Sequence, residues 1–133
     1  MQNPIWVSEA TVIAVHHAQL AEHGGGIGIR DHNALASALH HPQQLFHYGE
    51  TDIFVLAAGY AERIAKNHAF VDANKRSAYI IMCLFVKLNG YEFTAPKTER
   101  VTQMVALAAS EITSSDLAAW LKKNCAKLKK NHY

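Results

Sequence analysis

The chain has 133 residues, half of them apolar, and a formal net charge of +2 when its nine histidines are counted as neutral. This length is typical of one domain, and the apolar fraction is sufficient to bury a single core, which excludes a disordered chain. The charge is too small to indicate binding to nucleic acid or to a membrane surface.

The termini and the thiols favour a cytoplasmic protein. Residues Met1 to Val7 lack the charged and apolar segments of a signal peptide, and the most apolar run, Ala78 to Val86, is about half of the ~18 residues that a membrane span needs. Two cysteines, Cys83 and Cys125, in a chain with its own core fit a reducing compartment better than a disulfide framework, although their pairing stays open.

Three helices are predicted in the first half from N-cap residues and helical spacing. Ser8 is the expected cap of the first, which ends at the glycines 24–26; Asp31 caps the second, which ends at Pro42; Asp52 caps the third. Their apolar stripes are Val12, Val15 and Leu20; Leu35, Ala38 and Leu39; and Ile53, Leu56, Tyr60 and Ile64.

Three further helices follow. The fourth runs from about Asn74 to Leu88, and its nearly continuous apolar surface predicts that it is the buried centre of the fold. The fifth begins after Pro96, and the sixth begins at a capping box over residues 113–116. The inward positions are Val101, Val105 and Ala108 in the fifth helix, and Leu117, Trp120 and Leu121 in the sixth.

Strand signals are few, since only Tyr91 to Phe93 alternates and residues 40–51 are compatible with a short hairpin. The sequence therefore predicts an all-α, single-domain bundle of about six helices around a buried central helix, spanning residues 1–133. A short basic tail begins at about residue 125. The five lysines between Lys122 and Lys130 are expected to form a solvated face, so direct binding to nucleic acid is not expected.

The segment between the third and fourth helices combines unusual side chains. Lys75 and Arg76 lie in the first helical turn, where they oppose the helix dipole and where backbone N–H groups bind phosphate, so a bound polyphosphate would compensate them. Asp72 is placed to bind Mg²⁺, His68 to accept a proton, and Phe70 to anchor the loop in the core. Taken singly, these residues have ordinary explanations, with Asp72 and Asn74 as helix caps and the cations as solvated charges.

Residues 68–76 resemble the Fic/Doc motif, His-x-Phe-x-Asp/Glu-Gly/Ala-Asn-Gly/Lys-Arg. The resemblance implies the compact helical Fic/Doc fold, ATP and Mg²⁺ as cofactors, His68 as the catalytic base and Asp72 as the Mg²⁺ ligand. It further implies phosphate-binding positions at Asn74 and Arg76, beside the cation Lys75, and a structural anchor at Phe70. Weaker matches to the death-on-curing (Doc) branch are His16, Leu20 and Gly24-Gly25; Gly28-Ile29-Arg30-Asp31; and Asn89-Gly90-Tyr91.

Two departures from the wider Fic pattern favour the Doc branch. Lys75 stands where adenylylating members have a glycine that admits a diphosphate, and Tyr79 stands where they have a second arginine. In the Doc branch the γ-phosphate of ATP is transferred to a hydroxyl of a target protein, by resemblance elongation factor Tu. The first alternative is transfer of AMP, and the second is a catalytically idle protein that binds an antitoxin. An RNA nuclease is the weakest alternative, because it would need acidic metal ligands in addition to Asp72.

Regulation is expected to come from a separate chain. Some Fic proteins inhibit themselves through a helix with Glu followed by Gly or Asn, and no glutamate here has that neighbour. The resemblance implies a toxin whose antitoxin folds a disordered tail into an apolar groove on binding. Residues 40–51 correspond either to a flap that docks the target or to an irregular loop with Leu45 and Phe46 turned inward. The glycines 24–28 are expected to form a turn and not a phosphate loop, and His16 has no assigned role.

Overall fold

The computed structural model describes residues 3–128, which form six helices and one two-stranded antiparallel sheet. The predicted all-α bundle is thereby confirmed. None of these helices is both long and apolar enough to cross a membrane. The helices are α1 Glu9–His23, α2 His32–His47, α3 Ile53–Asn67, α4 Asn74–Leu88, α5 Lys97–Ala108 and α6 Ser114–Lys123, and the strands are β1 Tyr91–Phe93 and β2 Cys125–Lys127.

Local side-chain caps start four of the helices at the predicted residues. Ser8, Asp31 and Asp52 each accept a hydrogen bond from a backbone N–H in the first turn of α1, α2 and α3. Thr113 and Asp116 form the reciprocal capping box of α6, with both hydrogen bonds present. These starts are confirmed because each cap is a contact within three residues of chain.

The predicted end of α2 at Pro42 is wrong, since the helix continues through this proline to His47. A proline inside a helix loses one hydrogen bond and costs about 3 kcal/mol in local terms. Here the ring is buried, in register with Leu35, Ala38 and Leu39 on the face that packs against α3. Tertiary packing therefore outweighs the local penalty, and the hairpin predicted within residues 40–51 does not form.

The most deeply buried helix is α3 and not α4, although α4 has the predicted bounds. Nine residues of α3 are buried, against six of α4, and α3 packs against α2, α4 and α6. Many of the nine are small, which lets three neighbouring helices approach at once. The small buried residues of α3 are Ala57, Ala58, Gly59, Ala61 and Ala65.

The fifth helix turns a different face to the core from the predicted one. Met104 and Leu107 are buried, whereas Val101 and Val105 are 60% and 51% exposed, so their predicted inward position is wrong. The exposed valines border a cleft between α1, α4 and α5 that is described below. A short helix with apolar residues on two sides does not reveal from its spacing alone which side is covered.

The small sheet joins two segments that are distant in sequence. Tyr91, Glu92 and Phe93 of β1 pair with Lys127, Ala126 and Cys125 of β2, so Cys125 lies in a strand and not in a helix. Both cysteines are free thiols. The predicted basic tail from about residue 125 begins within β2, and its last residues, 129–133, lie outside the described part of the chain.

Candidate active site

The loop between α3 and α4 lines a cleft of about 550 Å³. Five of the six predicted site residues border this cleft, and the sixth, Phe70, lies beneath the loop in the core. The opposite side is formed by the end of α5, through Val105, Ala108 and Ala109. The predicted residues that the fold brings to the cleft are His68, Asp72, Asn74, Lys75 and Arg76.

The loop is bounded by two residues in the left-handed region, His68 at φ 50° and Ala73 at φ 64°. Between them it pairs with residues 26–31. The amides of Arg30 and Asp31 donate to the Ala69 carbonyl at 2.7 and 3.1 Å, and Ile29 and Phe70 form an antiparallel bridge. The segment that pairs with the loop is therefore 26–31. Residues 40–51, for which the sequence left a target-docking flap and an irregular loop as alternatives, are helical to His47, with Leu45 and Phe46 packed against the core.

The glycine turn after α1 is required by its close approach to the loop. A Cβ atom at Gly25 would lie 2.8 Å from Oδ2 of Asp72, and one at Gly26 would lie 2.7 Å from Cγ1 of Val71. The Gly26 amide donates to Oδ2 of Asp72 at 3.3 Å. The run 24–28 is a turn, as predicted, but its packing on the site was not foreseen. The close spacing of its glycines was the available signal.

His68 ends α3 and presents its exposed side chain to the cleft. Nε of Arg30 donates to the His68 carbonyl at 2.7 Å, and Nη2 of Arg30 reaches the Asn67 carbonyl at 3.4 Å. Arg30 thus satisfies carbonyls that the end of a helix leaves unpaired. The backbone that carries the imidazole is held from outside, and the sequence analysis assigned Arg30 no such role.

Asp72 is exposed, and its carboxylate accepts hydrogen bonds from the backbone N–H groups of Ala73 at 2.8 Å and Gly26 at 3.3 Å. These bonds, the one from Ala73 first, lower the pKa of Asp72, so the group is ionised at neutral pH. Within residues 3–128 no group of three or more His, Cys, Asp or Glu side chains is arranged to hold a metal by itself. A single carboxylate that shares Mg²⁺ with substrate phosphates fits this donor set.

The first turn of α4 has positive charge with no acidic partner in that turn. Its N-cap residue, Ala73, makes no side-chain cap, and Lys75 and Arg76 follow. Nη2 of Arg76 reaches the Gly24 carbonyl at 3.4 Å, and Lys75 is exposed at the cleft. Unpaired N–H groups, the dipole and two cations together make this helix start suited to bind an anion.

Asn74 has a second use within the loop. Its Oδ1 accepts from the Phe70 amide at 3.2 Å, and its Nδ2 donates to the Phe70 carbonyl at 3.0 Å. The side chain therefore braces the loop backbone from the α4 side. Its predicted contact with phosphate stays a prediction, as do the roles of the other motif residues.

A second cleft, of about 500 Å³, lies between α1, α4 and α5. Its lining combines apolar side chains, among them Val101 and Met104, with the cations Lys75, Arg76, Lys97 and Arg100. Three residues border both clefts, so the second cleft adjoins the first. The shared residues are Lys75, Arg76 and Val105.

Comparison with known proteins finds a family model and named relatives that are similar to the chain. The Fic/DOC family model matches residues 6–86, more than half of the chain. The chain is 34% identical over 119 residues to "Protein kinase doc" of Escherichia phage P1, covering 88% of this chain and 93% of that protein. It is 35% identical over 75 residues to "Toxin Doc" of Mycolicibacterium smegmatis, covering 54% of this chain and 57% of that protein. The chain therefore belongs to the Fic/Doc family, on its Doc branch.

Proposed function

We propose that the chain is a Mg²⁺-dependent protein kinase that transfers the γ-phosphate of ATP to a hydroxyl side chain of a target protein. The observation that carries the proposal is one cleft bordered by an imidazole, an ionised carboxylate and an uncapped, basic helix start. A relative named "Protein kinase doc" supports the same reaction class.

Each residue at the cleft has a distinct task in this mechanism. His68 accepts the proton of the attacking hydroxyl, since imidazole is suited to general base catalysis near neutral pH. The backbone N–H groups at the start of α4, with Lys75 and Arg76, hold the phosphates in place. Asp72 would hold Mg²⁺, which would supply charge neutralisation at the phosphates.

Transfer of phosphate, and not of AMP, is favoured by the side chains of α4. Lys75 fills space beside the helix start that a glycine would leave open to a diphosphate. Tyr79, which stands at the place of a second arginine, borders the second cleft and packs edge-on against Phe93 at 6.0 Å. The guanidinium of Arg100 lies 5.9 Å from the centre of the Tyr79 ring, and both residues line the second cleft and not the first.

The experiment uses purified protein, Mg²⁺ and a bacterial lysate with ATP labelled at either the α- or the γ-phosphate. We expect a lysate protein to acquire the γ-label only, and His68→Ala to abolish transfer. His40→Ala, which changes an exposed histidine of α2, is the matched control and should transfer normally. Uptake of the α-label would instead make the chain an AMP transferase, and transfer by His68→Ala would remove the imidazole from the mechanism.

We further propose that the chain is a toxin that stops translation by modifying a translation factor such as elongation factor Tu. The relative named "Toxin Doc" supports the toxin role. Induced expression of the wild type in a bacterium should arrest growth and place phosphate on a threonine of the factor, as read by mass spectrometry. His68→Ala should do neither. If growth stops while the factor is unmodified and another protein is phosphorylated, the kinase proposal stands and elongation factor Tu is not the target.

The second cleft is our proposed binding site for an antitoxin segment. The exposed apolar side chains Val101 and Val105 and the cations Lys97 and Arg100 in its lining suit an amphipathic segment with acidic side chains. Val101→Asp should weaken binding of the antitoxin about 100-fold or more in a titration, through a buried unpaired charge. Ala36→Asp, on the exposed face of α2, is the matched control, and equal affinities for the two variants would place the antitoxin elsewhere.

A further inference from the structure

A buried histidine of α1 lies directly beneath the motif loop. His16 is 1% exposed, and it contacts two motif residues from outside the motif. Its ring stacks on the Phe70 ring with centroids 3.8 Å apart and an interplanar angle of 8°. Its Nε2 lies 2.9 Å from the backbone carbonyl oxygen of Asp72. One side chain therefore restrains the loop at residues 70 and 72.

The chemistry of these contacts assigns the proton on the ring. A carbonyl oxygen only accepts hydrogen bonds, so Nε2 of His16 is the nitrogen that carries hydrogen. The ring is thus an Nε2–H donor, and its flat face packs on Phe70.

The loop needs such a restraint because its backbone turns sharply beside the carboxylate. Ala73 has a left-handed conformation that residues with a Cβ disfavour, so surrounding contacts must hold it. Gly26 and Ala73 bind the Asp72 carboxylate, and Asn74 braces the Phe70 backbone. Among residues 3–128, His16 supplies the hydrogen bond to the Asp72 carbonyl.

We propose that His16 is a positioning residue for the metal site: through its hydrogen bond to the Asp72 carbonyl, it orients the Asp72 carboxylate for Mg²⁺ bound with ATP. The inference rests on the proposed function in taking Asp72 as the Mg²⁺ ligand. Groups that orient a metal ligand through hydrogen bonds commonly change metal affinity about 10- to 100-fold when removed. A histidine that only fills the core would act through its shape alone.

Two substitutions separate the donor from the shape. His16→Phe keeps a ring for the stack on Phe70 and removes the Nε2–H donor, whereas His16→Gln keeps a donor of similar reach and loses the ring. His17→Phe, at the neighbouring exposed position of α1, is the matched control. Calorimetric titration of each protein with Mg²⁺·ATP, and with ATP in the presence of a chelator, separates metal-dependent from metal-independent binding without any target protein.

We expect His16→Phe to bind Mg²⁺·ATP about 10-fold more weakly than the wild type. Its affinity for metal-free ATP should change less than about twofold, and its thermal midpoint by a few degrees, because only one hydrogen bond is lost. His16→Gln should recover most of the Mg²⁺·ATP affinity, and His17→Phe should match the wild type. Should His16→Phe fail to fold, His16→Asn takes its place, since its shorter side chain does not reach the carbonyl.

Two outcomes overturn the proposal. One is equal affinity of folded His16→Phe and the wild type for Mg²⁺·ATP, which leaves His16 as a packing residue. The other is an equal loss of affinity by His16→Phe for Mg²⁺·ATP and for metal-free ATP, because such a loss indicates general damage to the cleft. Failure of the proposed kinase function is recognised separately, because a wild type that transfers no γ-label can still show the His16-dependent difference in metal-dependent binding.

Discussion

At the scale of single residues, the conformation of the motif loop depends on left-handed backbone at its two ends. His68 accommodates this conformation as the C-cap residue directly after α3, where a left-handed residue commonly ends a helix. Ala73 adopts it before α4, with its side chain buried, although left-handed backbone costs about 1–2 kcal/mol for a residue with a Cβ. The alanine at position 73 therefore lowers the stability of the folded protein relative to a residue without a Cβ.

Ala73→Gly should raise the free energy of unfolding by about 0.5–1 kcal/mol, because glycine removes the left-handed penalty but gains freedom in the unfolded chain. Ala73→Val should lower it by about 2 kcal/mol or more, because a branched side chain tolerates this backbone least. Urea unfolding monitored by circular dichroism measures both. Ala36→Gly is the control in right-handed helix and should lower stability by about 1 kcal/mol, so the same sign at both positions would contradict the argument.

At the scale of elements, the contact between α2 and α3 positions the helix that carries His68. Gly59 of α3 lies under α2, and a Cβ atom there would meet Cδ1 of Leu45 at 3.3 Å and Cδ2 of His41 at 3.5 Å. This close approach explains why α2 continues through Pro42. The second half of α2 covers buried residues of α3 that would otherwise face water.

Gly59→Leu should lower the free energy of unfolding by about 1–3 kcal/mol, because the added side chain separates two packed helices. Gly90→Leu is unsuitable as a control, since Gly90 has φ 98° and a substitution there would be strained for another reason. Ser37→Leu, on the exposed face of α2, adds a leucine without overlap and should change stability by less than about 0.5 kcal/mol. Thermal unfolding of the three proteins tests the difference, and a stable Gly59→Leu variant would show that the interface is loose.

The same interface makes stability depend on pH. Burial against α3 lowers the pKa of His41 from 6.5, Arg63 lowers it further, and Glu62 acts in the opposite direction. The unfolded chain thus binds this proton more readily than the folded protein, so His41 contributes stability above about pH 6.5 that is lost as the pH falls. We expect urea midpoints to be lower at pH 5 than at pH 7, and His41→Gln to reduce that difference. An unchanged difference would assign the pH dependence to other groups.

At the scale of the whole molecule, the two ends of α4 have separate tasks. Its start borders the cleft, and its end, about 22 Å away for 15 residues, holds the N-terminal segment. Oδ1 of Asn89 accepts from the Ile5 amide at 2.7 Å, and Nδ2 of Asn89 donates to the Ile5 carbonyl at 3.0 Å. This clamp places Trp6 in a stack with Phe85 at 5.7 Å, far from the motif loop.

Asn89→Ala should lower the free energy of unfolding by about 1–2 kcal/mol, through the lost hydrogen bonds and the released segment, and leave γ-phosphate transfer at the wild-type rate. His68→Ala is the reciprocal variant, with transfer lost and stability within about 0.5 kcal/mol of the wild type, because its side chain is exposed. The free energy of unfolding and the rate of γ-label transfer, measured on both variants and the wild type, test this pair of expectations. A loss of transfer in folded Asn89→Ala would show that the two ends of α4 are coupled.

Features that depend on neighbouring residues could be predicted from the sequence. Helix starts at Ser8, Asp31, Asp52 and Thr113 follow from caps that act within three residues, and the bounds of α4 follow from its apolar run. The motif at 68–76 was also located by sequence, because its unusual residues are contiguous.

Features that depend on contacts between distant segments of the chain could not be predicted in this way. Packing against α3 carries α2 through Pro42, and pairing with β2 makes Tyr91–Phe93 a strand. The motif is also held by residues that are distant in the sequence. Hydrogen bonds from the glycine turn at 24–26, Arg30 and His16 reach motif residues that lie 38 to 56 residues further along the chain. Local propensity carries no information about such contacts, since their free energy arises only when the folded core brings the segments together.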